Sequence, residues 1–112
     1  MTVTAKALFE PLQAQNAETT QYTTPAGTRT IIDKLTGTNT TAAAATLTVK
    51  LIASGGAAGA ANTIVSAKTL QPGETYTFPE VVGHVLNPGD FISTLAGTAA
   101  AITIRASGRE VS

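Results

Sequence analysis

Polar and apolar positions alternate in short runs along much of this chain. In Thr46-Leu47-Thr48-Val49-Lys50-Leu51, residues Leu47, Val49 and Leu51 fall on one side and Thr46, Thr48 and Lys50 on the other. Ile102-Thr103-Ile104-Arg105 repeats the pattern, and Thr75-Tyr76-Thr77-Phe78 puts its two aromatic rings inward. Successive side chains leave a strand on opposite sides, so a two-residue period means one buried face and one wet face. The same reading predicts strands over Thr4–Leu12, Glu18–Thr23, Thr28–Leu35, Thr63–Leu70, Val81–Leu86 and Phe91–Leu95. Alanine propensity alone would allow a helical turn at Thr41–Ala45. Its threonine and asparagine flanks make it instead a loop that enters a strand. The Gly- and Ala-rich segment Ser54–Asn62 predicts a mobile loop.

Turn chemistry punctuates these runs. Thr24-Pro25-Ala26-Gly27, Gln71-Pro72-Gly73-Glu74 and Asn87-Pro88-Gly89-Asp90 each precede a predicted strand. In the last two, proline presets φ at the first central position, and glycine accepts the positive φ that a type II turn needs at the second. Pro25, Gly27, Pro72, Gly73, Pro88 and Gly89 are therefore the turn-forming residues. Many short strands with regular turn signals predict an all-β fold, an antiparallel sandwich of about eight strands. Jelly-roll and immunoglobulin-like topologies fit the pattern equally, because a period carries no strand order. Residues 1–21 read as an N-terminal strand or arm, with Leu8, Phe9 and Leu12 as candidate assembly contacts, and residues 22–112 as the sandwich domain.

Composition narrows the functional classes. The 112 residues carry seven Lys and Arg against seven Asp and Glu. Phosphate neutralisation supplies most nucleic-acid affinity, and this balance lacks the basic excess it needs. No apolar run approaches the length of a membrane span, and Met1–Glu10 lacks the basic start and apolar stretch of a signal peptide. The expectation is therefore no nucleic-acid partner and no membrane. With no cysteine, neither disulfides nor thiolate chemistry contributes, which favours a reducing compartment. Charged residues make up 12% of the chain, while threonine and alanine each supply about a fifth. Charge is the usual device against association, so so sparsely charged a surface predicts a protein that works assembled, as a homo-oligomer.

The search for chemistry finds little to assemble. His84 is the single histidine, and a zinc site or a Ser-His-Asp triad would have to be built on it alone. It reads as a strand histidine at an edge or interface. Glu74 and Asp90 follow equivalent turns and read as solvated turn residues; a calcium site shared by the two turns lacks the spacing of a calcium loop. Gly55-Gly56-Ala57-Ala58-Gly59 superficially resembles a phosphate loop but has no lysine and opens no helix. Arg29, Lys34, Lys50, Lys68, Arg105 and Arg109 read as solvated strand residues. The expectation is a non-enzyme without cofactor, metal or catalytic residues.

Tyr22-Thr23-Thr24-Pro25-Ala26-Gly27-Thr28-Arg29-Thr30-Ile31-Ile32 resembles the opening of a group of small β-sandwich structural proteins of tailed bacteriophages. Ala61–Ile64, Leu70–Tyr76, Leu86–Ile92 and Ile104–Val111 resemble further segments of that group, so the likeness spans about residues 20–112. It implies a virion structural protein, a capsid decoration or cement subunit bound to the major capsid protein or other virion proteins and to its own copies. It implies equally a location in the virion after assembly in the host cytoplasm. The alternative within the same resemblance is a tail, fibre or baseplate-associated structural or adhesion module. Independently of the resemblance, the turn assignment makes a prediction. Gly73→Val forces a β-branched residue towards positive φ, and the melting temperature should fall clearly; an unchanged value would refute the turn.

Overall fold

The computed structural model describes residues 1–112, built from nine strands and one 3-10 turn. The strands are β1 (Val3–Gln13), β2 (Thr19–Thr23), β3 (Arg29–Asn39), β4 (Ala45–Ile52), β5 (Thr63–Leu70), β6 (Thr75–Tyr76), β7 (Val85–Leu86), β8 (Phe91–Ala96) and β9 (Ile102–Val111). They form two antiparallel sheets. The first has the order β1-β9-β3, with β6 and β7 both on the far side of β3; the second has the order β2-β8-β4-β5.

The pairing identifies the topology. Taking β6 and β7 as two pieces of one interrupted strand leaves eight, in which the first pairs with the last, the second with the seventh, the third with the sixth and the fourth with the fifth. That is one long hairpin folded at β4–β5. Rolling it up adds the pairs β3–β9 and β4–β8 and divides it into two sheets. The result is a jelly roll. An immunoglobulin-like sheet would set the first strand beside the second, whereas here the neighbour of β1 is β9.

The inward residues of both sheets meet in one core. Ile32, Leu35, Ile102 and Ile104 from the first sheet and Leu47, Val49, Leu70 and Ile92 from the second are fully buried. Phe78 is the largest fully buried side chain. Its ring lies against Gly37, where a Cβ would come within 3.0 Å of Cε2, so β3 has room for the ring only because residue 37 is glycine. Asn39 is also fully buried, at the end of β3. Its amide donates to the carbonyls of Ala43 (2.8 Å) and Leu70 (2.9 Å), and its Oδ1 accepts from the N–H and hydroxyl of Thr41. All four hydrogen-bonding positions of the side chain are filled, as burial demands. The Thr41–Ala45 segment is a loop entering β4, tied to β3 and β5 by that one side chain.

Three expectations need correction. Of the two readings of residues 1–21, a strand or an arm, the strand is the one found. β1 is an edge strand of the chain's own first sheet, and the sandwich begins at Val3. Leu8 and Phe9 are both 6% exposed and belong to the core, with Leu12 packed against it. The physical reason is a break in register between Ala7 and Phe9, which sends two successive side chains inward. Val81–Leu86 is a strand only at its last two residues. Pro79 cannot donate to a ladder, and Gly83 takes φ +85°, so the chain turns twice before rejoining β3. Val81 is thereby driven into the core and Val82 left in solvent. The aromatic strand likewise ends at Tyr76: Phe78 turns in at φ +31°, while Tyr76 stays half-buried and bonds Glu80. The segment Ser54–Asn62 holds the 3-10 turn Ala60–Asn62, closed by Asn62 bonding Ala57 and Gly59.

A deletion tests the place of β1. Truncating Leu8 or Phe9 alone would cost about 2–5 kcal/mol, against about 5–15 kcal/mol of total stability in a typical domain. Removal of residues 2–13 takes both away, together with the pairing partner of β9. The shortened chain should therefore show no cooperative thermal transition by circular dichroism. A cooperative melt near that of the full chain would show that β1 is dispensable.

Candidate interaction surface

The outward faces of the two sheets are treated differently by the rest of the chain. On the second sheet, Lys50 and Ser93 are cross-strand partners that point away from the core, yet both are buried. The cover is the segment leading into β2. Glu18 forms an ion pair with Lys50 and accepts a 2.6 Å hydrogen bond from the Ser93 hydroxyl. Ile52, on the same outward side, is 1% exposed and lies outside the main core cluster, with Gly56 folded over it. Burial pushes the Glu18 carboxyl up, but the Lys50 ammonium and the Ser93 hydroxyl outweigh it, and the group titrates below its usual range.

No loop folds over the first sheet in this way. Register places Val3, Val111 and Arg29 in one outward row and Ala5, Arg109, Ile31 and Val85 in the next. Val3 and Val85 are each about half exposed, at 53% and 52%, and Met1 is fully exposed. Met1, Arg29, Ile31, Val85 and Val111 line a shallow open depression of about 750 Å³ at this end of the sheet. Further along β3 and β9, Lys34, Thr36, Arg105 and Ser107 surround a smaller polar depression of about 220 Å³. Between the two, Arg109 holds Asp33 with its Nε and Nη2, at 2.9–3.1 Å. Asp33 is available because the register shifts between Ile32 and Lys34.

A third polar group closes the end of the sandwich. The Tyr22 hydroxyl is 2.6 Å from Glu110 Oε2, to which it donates, and 2.7 Å from the Thr30 hydroxyl. Lys6 reaches the same carboxylate at 3.3 Å. Burial, followed by the hydrogen bond to Glu110, pushes the Tyr22 phenol up to about 12. One hydroxyl nearby has no such partner: Thr24 Oγ1 is buried without a hydrogen bond.

The predicted site residues fall into place as follows. Gly73 and Gly89 sit at φ +77° and +86°, and each turn is closed by a 2.9 Å hydrogen bond, from Glu74 N–H to the Gln71 carbonyl and from Asp90 N–H to the Asn87 carbonyl. The first turn runs one residue later than the motif, from the Pro25 carbonyl to the Thr28 N–H, with Gly27 at φ +71°. Glu74 and Asp90 fold back to accept the N–H of Gln71 and Asn87, and Asp90 also takes that of Ser54. They are turn caps. His84 is exposed, and its backbone rather than its ring engages Ile32. No three His, Cys, Asp or Glu side chains form a group that could hold a metal ion. Leu8, Phe9 and Leu12 are on the core side, so the candidate contacts pass to Val3, Ile31, Val85 and Val111. The sequence reading singled out neither Ile31 nor Val111, because which face stays uncovered depends on loops whose path is not periodic.

No protein-family model matches the chain, and no curated protein does. Among solved structures, a chain in the structure of infectious bursal disease virus, Gx strain, is similar at a TM-score of 0.47 and 15% identity over 97% of this chain. The present chain covers 32% of that one.

The Tyr22 cluster yields a pH prediction. Its neutral phenol is favoured by the fold, so that stability is fully present below the unfolded value of 10.0 and is lost as pH rises towards about 12. The melting temperature should fall across that window, and Tyr22→Phe should flatten the fall. An identical alkaline slope in the variant would show that Tyr22 does not titrate in concert with unfolding.

Proposed function

We propose that this chain is a non-catalytic structural protein of a virion, a decoration or cement subunit that binds the major capsid shell and its own copies. The observation that carries the reading is the unequal treatment of the two sheets. A monomer gains by covering outward apolar side chains, and this chain covers Ile52 with its own loop. It leaves Met1, Val3, Ile31, Val85 and Val111 together on the bare face of the first sheet. Clustered exposed apolar side chains on a soluble domain mark a surface intended for a partner. Sparse charge over the whole chain works in the same direction. The jelly roll is an architecture used by viral capsid domains, although it serves lectins and cupins too. The turn-and-strand motifs between residues 20 and 112 supply the link to tailed-phage structural proteins. The tail, fibre or baseplate reading rests on those motifs as well, but offers a glycan little aromatic surface: Phe9, Tyr22 and Phe78 are buried, and the half-exposed Tyr76 and Phe91 lie on different sheets.

Mass spectrometry of purified particles should find the chain in stoichiometric amount, and immunogold labelling should mark heads rather than tails. Absence from purified particles would refute the virion role; label confined to tails would replace the decoration role with the tail reading.

A further inference from the structure

The charges on the first sheet's outer face narrow the chemistry of what covers it. Of the seven Lys and Arg side chains, Lys6, Lys50 and Arg109 are paired with carboxylates, and Lys68 lies over the Tyr76 ring at 4.6 Å. The three without a partner are Arg29, Lys34 and Arg105, and all three lie on this one face. Lys34 and Arg105 stand on adjacent strands, one register step apart, with the hydroxyls of Thr36 and Ser107 between them and no carboxylate in the depression. Against the four cations of the face stand Asp33, held by Arg109, and Glu10 on the edge strand β1, which forms no ion pair. The face is thus net positive on a chain whose overall charge is zero. Like charges on neighbouring strands repel, and a covering surface that brought no counter-charge would bury them at a cost.

Building on the virion reading, we infer that the outer face of the first sheet docks onto an acidic patch of a different protein. That partner carries carboxylates to meet Lys34 and Arg105, and apolar side chains to fill the depression between Ile31, Val85 and Val111. A second copy meeting the same face about a twofold axis is disfavoured, because an isologous contact would lay two copies of one net-positive face on each other. Contacts between copies then use other surfaces, and the face chooses its partner by charge as well as by apolar area.

Zero-length carbodiimide coupling tests this directly, since it joins a lysine amine only to a carboxylate in contact with it. The reaction is run on purified particles and, separately, on extracts of the producing cells, and the linked peptides are sequenced. The Lys50–Glu18 pair supplies an internal control within the chain. The expected result is Lys34 joined to an Asp or Glu of another protein, with the chain's recovery in particles at least tenfold lower for the double variant Lys34→Glu, Arg105→Glu, at an unchanged melting temperature. Lys34 links in extracts but no chain in particles would refute the virion reading and leave the acidic partner standing. Lys34 unlinked, or linked only to carboxylates of this chain, while Lys50–Glu18 forms, would overturn the inference. So would full recovery of the folded double variant in particles whose wild-type form contains the chain.

Discussion

The fold depends on β9 having a partner on both sides. Ten residues near the end of the chain lie between β1 and β3, and their backbone N–H and C=O groups find hydrogen-bond acceptors and donors only when residues 3–13 and 29–39 are both in place. A buried polar backbone group left unpaired costs as much as a lost hydrogen bond. The two ends of the sequence are therefore committed to each other before any question of partners arises. The hydrogen bonds between Thr2 and Ser112 continue the ladder past the last assigned strand residues. This is also why the first strand is not a free arm: its pairing positions and its two buried side chains, Leu8 and Phe9, are used in cis.

Closing the hairpin in this way leaves two outer faces, and the connections decide what becomes of each. The entry into β2 brings Glu18 over Lys50 and Ser93, and the β4–β5 connection brings Gly56 over Ile52, so part of the second sheet's outer face is covered by local chain. The connections around the first sheet run along its edges. The excursion between β6 and β7 does not cross the outer face; it sends Phe78 and Val81 into the core. The same detour that thickens the core thus leaves Val85 beside Ile31 in solvent. Core filling and surface exposure are coupled through one interrupted strand.

How much of this was legible in the sequence follows from the range of each interaction. The strands with clean alternation, β4 and β9 above all, were visible because pleat and burial impose a period on neighbouring residues. The Pro-Gly turns were visible because φ is set by the residues themselves. β1 was anticipated as a strand over Thr4–Leu12, but the inward place of Leu8 and Phe9 was hidden because the register break at Ala7–Phe9 destroys the period where the strand is most buried. The segment at Val81–Leu86 misled because valines with strand propensity are held in turns by Pro79, Gly83 and hydrogen bonds to Ile32, fifty positions away. Strand order was invisible for a related reason, since both sandwich topologies share the same period. The Tyr22–Thr30–Glu110 group joins residues 8 and 88 positions apart, and only topology brings them together. The cations of the candidate surface were noticed and read as solvated. What the sequence could not convey was that three of them lack a carboxylate while the others have found a partner.

That last distinction sets the outer face of the first sheet apart from the rest of the surface. An exposed ion pair contributes at most modestly to stability, even with the two-nitrogen grip of Arg109 on Asp33. Its effect is to neutralise one cation in the middle of the face and leave Arg29, Lys34 and Arg105 at its two ends. On the proposed docking, a covering partner would meet a patterned field, apolar around the single cation Arg29 at the Val3–Val111 end and more strongly cationic towards Lys34 and Arg105. Patterning of this kind discriminates between partners more than it adds affinity. A wrong surface laid on the face would bury Lys34 and Arg105 without counter-charge, and a merely acidic one would leave the depression beside Val85 unfilled. Both requirements have to be met by the same neighbour, and the rigid ladder between β3 and β9 fixes the distance between them.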